Sequence, residues 1–389
     1  MQRLQSTFDK LLRETPSAFH RYMYHLIDWR AQMIGLMGPR GVGKTTMMLQ
    51  YIKENLPRQE TLYVVAEDLY FSQHTLLDLA DAFSKVGGKY LIIDEIHKYS
   101  GWSRELKLIS DYHSELHVFF TGSSVLDISK GVSDLSRRVL VYEMQGLSYR
   151  EYLTLFHHID IPVYNLQQII GQQVTLPQGF LPLQHFSDYL NRGYYPFRDD
   201  NFERYIMQIV NTTLEADIAQ YADLTTSTIR KLKRLLAIVA QTAPFKPNFS
   251  QLGAQLEVSR NIVADLCAWL EKAGLVGQLR DSTGGIQGLG KVDKIYLDNP
   301  SLIHVLGDLN TEIGTMRETF FFNQLRVNED ITSSPVSDFL VDGKYTFEVG
   351  GKKKKQKQIQ NVDLGYVVKD DIETGYGNII PLWQFGLTY

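Results

Sequence analysis

Gly38-Pro39-Arg40-Gly41-Val42-Gly43-Lys44-Thr45 is an unbroken G-x-x-x-x-G-K-[ST], set between an apolar run, AQMIGLM (31–37), and a helical stretch, TMMLQYIKENL (46–56). A strand–loop–helix setting is what this pattern needs to act as a phosphate cradle. Its glycines let backbone N–H groups turn inward around an anion, at a helix N-terminus whose dipole also favours negative charge. Lys44 is placed to neutralise the β- and γ-phosphates of a nucleoside triphosphate, and the Thr45 hydroxyl to hold Mg²⁺. Gly38 through Thr45, with Thr46 behind them, form the candidate nucleotide-binding set.

Four further apolar runs follow at helical spacings: TLYVVA (61–66), KYLIIDE (89–95), LHVFFTG (116–122) and RVLVYEM (138–144). Short runs bounded by turn residues and separated by helices describe a parallel sheet buried on both faces. The expectation is a three-layer α/β domain over 1–145, with a short amphipathic helix at 1–14 carrying Leu4, Phe8, Leu11 and Leu12 on one face. Asp94 and Glu95 close one strand, where the first carboxylate can reach the Mg²⁺ shell and the second can act as general base on a water. The strand VFFTGSS (118–124) should insert between the phosphate-loop strand and the Asp94 strand, bringing Thr121 or Ser123 near the γ-phosphate. Arg137 and Arg138 end a helix and enter a strand. They read equally as a trans-acting arginine finger or as surface cations favoured by a helix C-terminus.

Composition limits the alternatives. The 389 residues carry 44% hydrophobic and 22% charged side chains, enough for two or three globular domains. A net charge of −4 gives no global pull toward nucleic acid or anionic membrane. The single cysteine, Cys267, excludes intramolecular disulfides, no Cys/His spacing fits a zinc site, and apolar neighbours make it a buried hydrophobe. The first residues are charged throughout and no run approaches the ~18 apolar residues of a membrane span, so a cytoplasmic protein without membrane contact is expected.

Past residue 145 the pattern turns helical, at 148–160, 183–191 and 200–221, with Ser148 and Glu151 spaced as a capping box. Helices at 228–241, 250–256 and 259–273 precede a glycine-rich hairpin tipped by DSTGGIQGLG (281–290), the order of a winged helix. Its third helix sets Arg260 and Lys272 against Asp265 and Glu271, above an apolar stripe of Ile262, Leu266, Trp269 and Leu270. That is a packing helix more than a base-reading one. The better candidates for nucleic-acid contact are the basic segments RKLKRLL (230–236) and KKKKQK (352–357). A helix near 313–325 and alternating runs at 336–349 and 364–369 suggest a small α/β module.

Taken together, GPRGVGKTT (38–46), LIIDEIHK (91–98), FFTGSS (119–124), DLSRR (134–138) and GLSYREYL (146–153) closely resemble a prokaryotic group of AAA+ ATPases. In that group a winged helix and a restriction-endonuclease-like domain of the PD-(D/E)xK type follow the ATPase module. The resemblance implies an AAA+ ATPase domain at 1–145, a helical lid at 146–225, a winged helix at 226–300 and a nuclease-like domain at 301–389. It implies an enzyme that binds ATP and Mg²⁺, hydrolyses ATP and moves its C-terminal domains, with homo-oligomeric assembly. An ATP-regulated DNA-processing protein and a slow nucleotide switch are the alternatives. Lys44 and Thr45 then match Walker A, Asp94 and Glu95 Walker B, Thr121 to Ser124 sensor 1, and Arg137 or Arg138 the finger. No motif selects Arg192 or Arg204 as a sensor 2. In RETFFFNQL (317–325) and SDFLVDGKYTFEVGGK (337–352), Glu318, Asp338 and Glu348 match the nuclease acids, with Asp338 and Glu348 as a candidate second metal pair. Gly350 stands where the lysine is expected, with Lys352 as its nearest substitute, so an inactive structural domain is the expectation.

Overall fold

The computed structural model describes residues 2–123, 135, 137–282, 290–307, 313–355 and 357–389. The chain divides into two compact units, one of residues 1–145 with 220–222, the other of 146–219 with 223–389.

In the first unit, strands β1 (Met33–Gly38), β2 (Thr61–Val65), β3 (Tyr90–Asp94), β4 (His117–Ser123) and β5 (Leu140–Glu143) form one parallel sheet. Its order is β2-β3-β4-β1-β5, so β4 does lie between β1 and β3. Helices α1 (Gln2–Glu14), α2 (Lys44–Asn55), α3 (Leu76–Lys85) and α4 (Trp102–Tyr112) cover the two faces. Side chains alternate across a strand, and both sets are used. Leu62, Val64, Leu91, Ile93, Val118 and Phe120 meet Leu79 and Phe83 of α3 and Trp102, Leu106 and Ile109 of α4. On the other face Tyr63 stacks on Phe8 of α1, and Phe119 meets the edge of Trp29, which stacks on Tyr51 of α2 at 3.7 Å. Double burial is why the strands read as continuous apolar runs. Of the expected stripe on α1, Leu4 and Phe8 are buried and Leu11 and Leu12 half-buried.

The second unit opens with α5 (Tyr149–His157), α6 (Leu166–Ile170), α7 (Phe186–Arg192) and α8 (Phe202–Thr212), the last running through a π turn (Thr213–Asp217) to Tyr221. Helices α9 (Thr226–Thr242), α10 (Phe249–Leu256) and α11 (Arg260–Lys272) precede an antiparallel pair, β6 (Val276–Arg280) and β7 (Val292–Leu297). After α12 (Pro300–Leu306) and α13 (Ile313–Leu325) come β8 (Ile331–Ser333), β9 (Phe339–Val341), β10 (Tyr345–Gly350), β11 (Gly365–Lys369) and β12 (Ile379–Pro381). These five make a mixed sheet ordered β12-β11-β10-β9-β8, parallel from β10 to β12 and antiparallel from β8 to β10.

Helix α13 is buried on nearly every side from Thr319 to Leu325. Successive residues on a helix point about 100° apart, and three consecutive phenylalanines take three neighbours. Phe320 meets Phe186 and Tyr189 of α7, Phe321 meets Phe339 and Phe347 of the sheet, and Phe322 stacks on Tyr296 of β7. One helix thus packs against elements on both sides of residues 225 and 300, and the two units divide at 145. A correction concerns α11. Val263, Leu266, Cys267 and Leu270 are its buried residues, while Ile262 is 41% exposed and Trp269 half-buried. Cys267 is buried, as expected, and that burial pushes its thiol up to about 12.

Ser148 and Glu151 form the expected capping box, and the Ser148 hydroxyl also donates to the Tyr389 carbonyl at 2.6 Å. Ser148→Ala should lower stability by about 1–2 kcal/mol, since it removes an N-cap and a buried acceptor's donor together. Urea unfolding checks this, and Ser148→Thr should recover most of the loss.

Candidate functional site

The phosphate loop leaves the C-terminal end of β1 and enters α2 at Lys44, with Gly43 as the capping residue at φ +97°. Gly38 has φ +151°, and a Cβ there would lie 2.2 Å from the Met144 carbonyl oxygen, so only glycine fits. Lys44 Nζ donates to the carbonyls of Gly38 and Pro39, each at 2.8 Å, which holds its ammonium over the mouth of the loop. Buried Arg21 braces the loop from beneath, donating to the carbonyls of Val42 and Gln145.

Asp94 joins these parts. The parallel register puts Val65 of β2 beside Asp94 of β3, and places β4 on its other side. Its Oδ2 accepts from Thr45 Oγ1 at 2.8 Å and from Tyr63 OH at 2.6 Å, and its Oδ1 accepts from the Thr121 hydroxyl and the Glu95 N–H. The Thr121 oxygen in turn accepts from the Glu95 N–H at 3.0 Å. Burial, and then the Asp94 charge, raise the Tyr63 phenol far above its ordinary value, so it stays a donor at any physiological pH. Glu95 has a left-handed backbone, φ 52°, and its carboxylate pairs with Arg40 at 3.2 Å. A hydroxyl beside a buried carboxylate is the donor set that Mg²⁺ takes with nucleotide phosphates, so Thr45 and Asp94 fit the ion.

Thr121 thus sits inside the Asp94 cluster, while Ser123, at the end of β4, accepts no part in it and donates its N–H to His97 Nδ1 at 3.4 Å. Ser124 lies outside the described residues. Arg138 is paired with Asp111, at 2.8 and 3.1 Å, and Arg137 is exposed. Leu140, the first residue of β5, pairs with Ile34 near the start of β1. Both arginines therefore precede β5 at the end of the strands opposite the loop, about 13 Å or more from it at ~3.3 Å per residue. Sequence reasoning missed Tyr63 and Arg21. Each was an ordinary residue of an apolar or mixed stretch, without a local signal.

In the second unit, Glu318 of α13 and Asp338 before β9 share one lysine, while Glu348 of β10 pairs with another. Lys294 Nζ of β7 reaches Glu318 at 3.0 Å and Asp338 at 3.5 Å, and Tyr296 OH donates to Glu318 at 2.9 Å. Burial alone would lower Lys294, but the Glu318 and Asp338 carboxylates outweigh it and hold the ammonium above its ordinary value. The Val349 N–H donates to Asp338 at 2.9 Å. The lysine that reaches Glu348 is Lys354, at 3.1 Å, whereas Lys352 is exposed. A Cβ on Gly350 would lie 2.6 Å from Lys354 Cδ, so the Lys354 stem fills the space a side chain at 350 would occupy. Among the described residues, no three His, Cys, Asp or Glu side chains gather closely enough to hold a metal. Of the basic segment on α9, Lys231 donates to the Glu257 carbonyl and Lys233 pairs with Glu215, leaving Arg230 and Arg234 exposed. Among the described residues no helix is long and apolar enough to cross a membrane.

Residues 30–153 match the AAA domain family, and residues 183–313 match a domain of unknown function, DUF8612. The chain is 24% identical over 401 residues to the uncharacterized protein MJ1637 of Methanocaldococcus jannaschii, covering 91% of this chain and 84% of that one. A solved structure of C. elegans PCH-2 is 13% identical with a TM-score of 0.26, over 70% of this chain and 67% of that one, a likeness too slight to say more. The family match falls on the loop and strands that hold Lys44, Asp94 and Thr121, so this stretch of the chain is similar to the AAA domain family.

Tyr63→Phe removes one neutral donor from Asp94 without touching the loop. It should raise the Mg²⁺ concentration for half-maximal nucleotide binding about tenfold, as losses behind a metal ligand typically do. Titration with a fluorescent nucleotide checks this; an unchanged requirement would leave Tyr63 a packing residue.

Proposed function

We propose that this chain is a Mg²⁺-dependent ATPase working at the loop-and-strand site of its first unit, with turnover altering the conformation of the second. The observation that carries the reading is the 2.8 Å hydrogen bond from Thr45 to Asp94, which brings the Walker A hydroxyl and the Walker B carboxylate into one ion's reach. Lys44 and the loop N–H groups bind the terminal phosphates. Thr45 and Asp94 would hold Mg²⁺, which would supply neutralisation of the charge on the terminal phosphates. Glu95 takes a proton from the attacking water as its oxygen bonds to the γ-phosphorus; the bond to the β–γ bridging oxygen breaks and its electron pair leaves with ADP. Thr121 keeps Asp94 and the Glu95 backbone in register. Arg137 or Arg138, at the end of the strands opposite the loop, would meet a phosphate only on a second copy of the chain, which fits a homo-oligomer with a finger in trans.

A mechanical link to the rest of the chain is built into the loop's footing. The Met144 N–H donates to the Met37 carbonyl at 2.8 Å, Gly38 is pressed against Met144, and Arg21 ties Val42 to Gln145. A loop that shifts on its phosphates therefore moves the backbone at 144–145. Beyond it we read 146–225 as a lid, α9 to β7 as a winged helix, and α13 with its sheet as a nuclease-like domain.

Lys44→Ala should abolish ATP binding, because it removes the ground-state counter-charge. Glu95→Gln should bind ATP normally and lose about 10²–10⁴ in turnover, the usual worth of a general base. Equilibrium binding and phosphate release separate the two; wild-type turnover by Glu95→Gln would take Glu95 out of this role.

One observation favours the DNA-processing reading. Glu348 Oε2 is buried and accepts no hydrogen bond among the described residues, beside a lysine that has replaced the missing one. Against it, Lys294 and Lys354 already pair with all three carboxylates, which leaves little negative potential to draw in a divalent cation. We expect no cleavage of plasmid or single-stranded DNA with Mg²⁺ or Mn²⁺, with or without ATP, and unchanged ATPase activity in Asp338→Ala. Cleavage lost in both Asp338→Ala and Lys354→Ala would establish the second reading instead.

A further inference from the structure

Arg40 is the third residue of the phosphate loop, and its guanidinium pairs with Glu95 rather than with solvent. Two features make this contact more than a surface ion pair. Both side chains are largely covered, 23% and 30% exposed, so the charges interact in a medium less polar than water. The Glu95 backbone is also held left-handed, a conformation that costs a non-glycine residue on the order of 1 kcal/mol and persists only where neighbours impose it. The neighbours are on hand: Thr121 and Asp94 both accept the Glu95 N–H, and Lys98 N–H closes a turn onto the Glu95 carbonyl at 2.9 Å. The turn fixes the direction of the side chain, and that direction is toward Arg40.

A guanidinium carried by the phosphate loop can pair with Glu95, as it does here, or with a terminal phosphate. Glu95 offers one charge; the terminal phosphate of a nucleoside triphosphate offers nearly two, with oxygens spaced for a planar fork. A diphosphate ends one phosphate short and offers no such group at the same place. We propose that Arg40 is a positioning residue that reports which nucleotide is bound: it holds Glu95 aside until a γ-phosphate takes the guanidinium, which frees the Glu95 carboxylate to face the water. The proposal rests on the reading of Glu95 as general base, and makes that base available only when the triphosphate is in place.

The test uses the full chain with Mg²⁺, ADP and a non-hydrolysable ATP analogue. Arg40→Ala should reduce the preference for the analogue over ADP about tenfold, the loss of one charge-assisted hydrogen bond, and Arg40→Lys should retain part of it. Melting of Arg40→Ala, Glu95→Gln and the double variant gives the coupling of the pair. It should amount to a shift of about 1–3 °C without nucleotide and disappear with the analogue bound. An unchanged preference, or a coupling that is missing without nucleotide or survives with the analogue, overturns the proposal. Turnover by Glu95→Gln is measured alongside: wild-type turnover there refutes the general-base reading, whereas its loss together with an indifferent Arg40→Ala refutes the latch alone.

Discussion

A buried carboxylate has to be answered, and the first unit is arranged around answering one. Asp94 is 5% exposed, and an ionised group so covered costs on the order of several kcal/mol unless donors replace the water it has lost. Its donors come from four places in the chain: Thr45 at the start of α2, Tyr63 on β2, Thr121 on β4 and the N–H of Glu95 just after β3. Only the strand order β2-β3-β4-β1, in parallel register, brings those ends together. The sheet's topology and the site's chemistry are thus one constraint. Because the answering side chains are hydroxyls, they bring no positive charge to Asp94, and its oxygens are already positioned beside Thr45.

How much of this was legible depends on how local each signal is. The loop was legible because the glycines' backbone roles, the lysine and the threonine lie within eight residues, and a parallel sheet's double burial leaves continuous apolar runs around it. Asp94 and Glu95 were legible because they break such a run at its end. Tyr63 was hidden in TLYVVA, where a tyrosine reads as one more strand former. What distinguishes it is a partner 31 residues away. Arg21 was hidden for the same reason, its acceptors being carbonyls at 42 and 145. On α11 the apolar stripe was read one residue off. The sequence pattern does not distinguish Ile262 from Val263, and the packing of the helix does.

The second unit shows a different limit. The pattern changes near 225 and 300, from helices to a helix–hairpin segment to strands. Yet RETFFFNQL sets its phenylalanines around the helix and buries Thr319, Asn323 and Gln324 with them, so from Thr319 to Leu325 the helix is covered on nearly every side. Three adjacent phenylalanines then draw α7, β7 and the mixed sheet onto one helix, which makes a single compact body from segments that read separately.

The two acidic sites of the molecule differ in how their charge is met, and that difference bears on what each can bind. At Asp94 the answering side chains are neutral, so the negative potential survives for an incoming ion. At Glu318, Asp338 and Glu348 they are ammonium groups, Lys294 across the first two and Lys354 on the third. An ammonium is a strongly hydrated point charge that sheds its water only for close anionic partners, and once paired it competes with any metal for the same oxygens. A metal entering there would have to displace a cation before it gained a ligand. Gly350 belongs to this arrangement: its missing side chain is the space through which Lys354 reaches Glu348. The glycine and the lysine four residues on are therefore one structural feature.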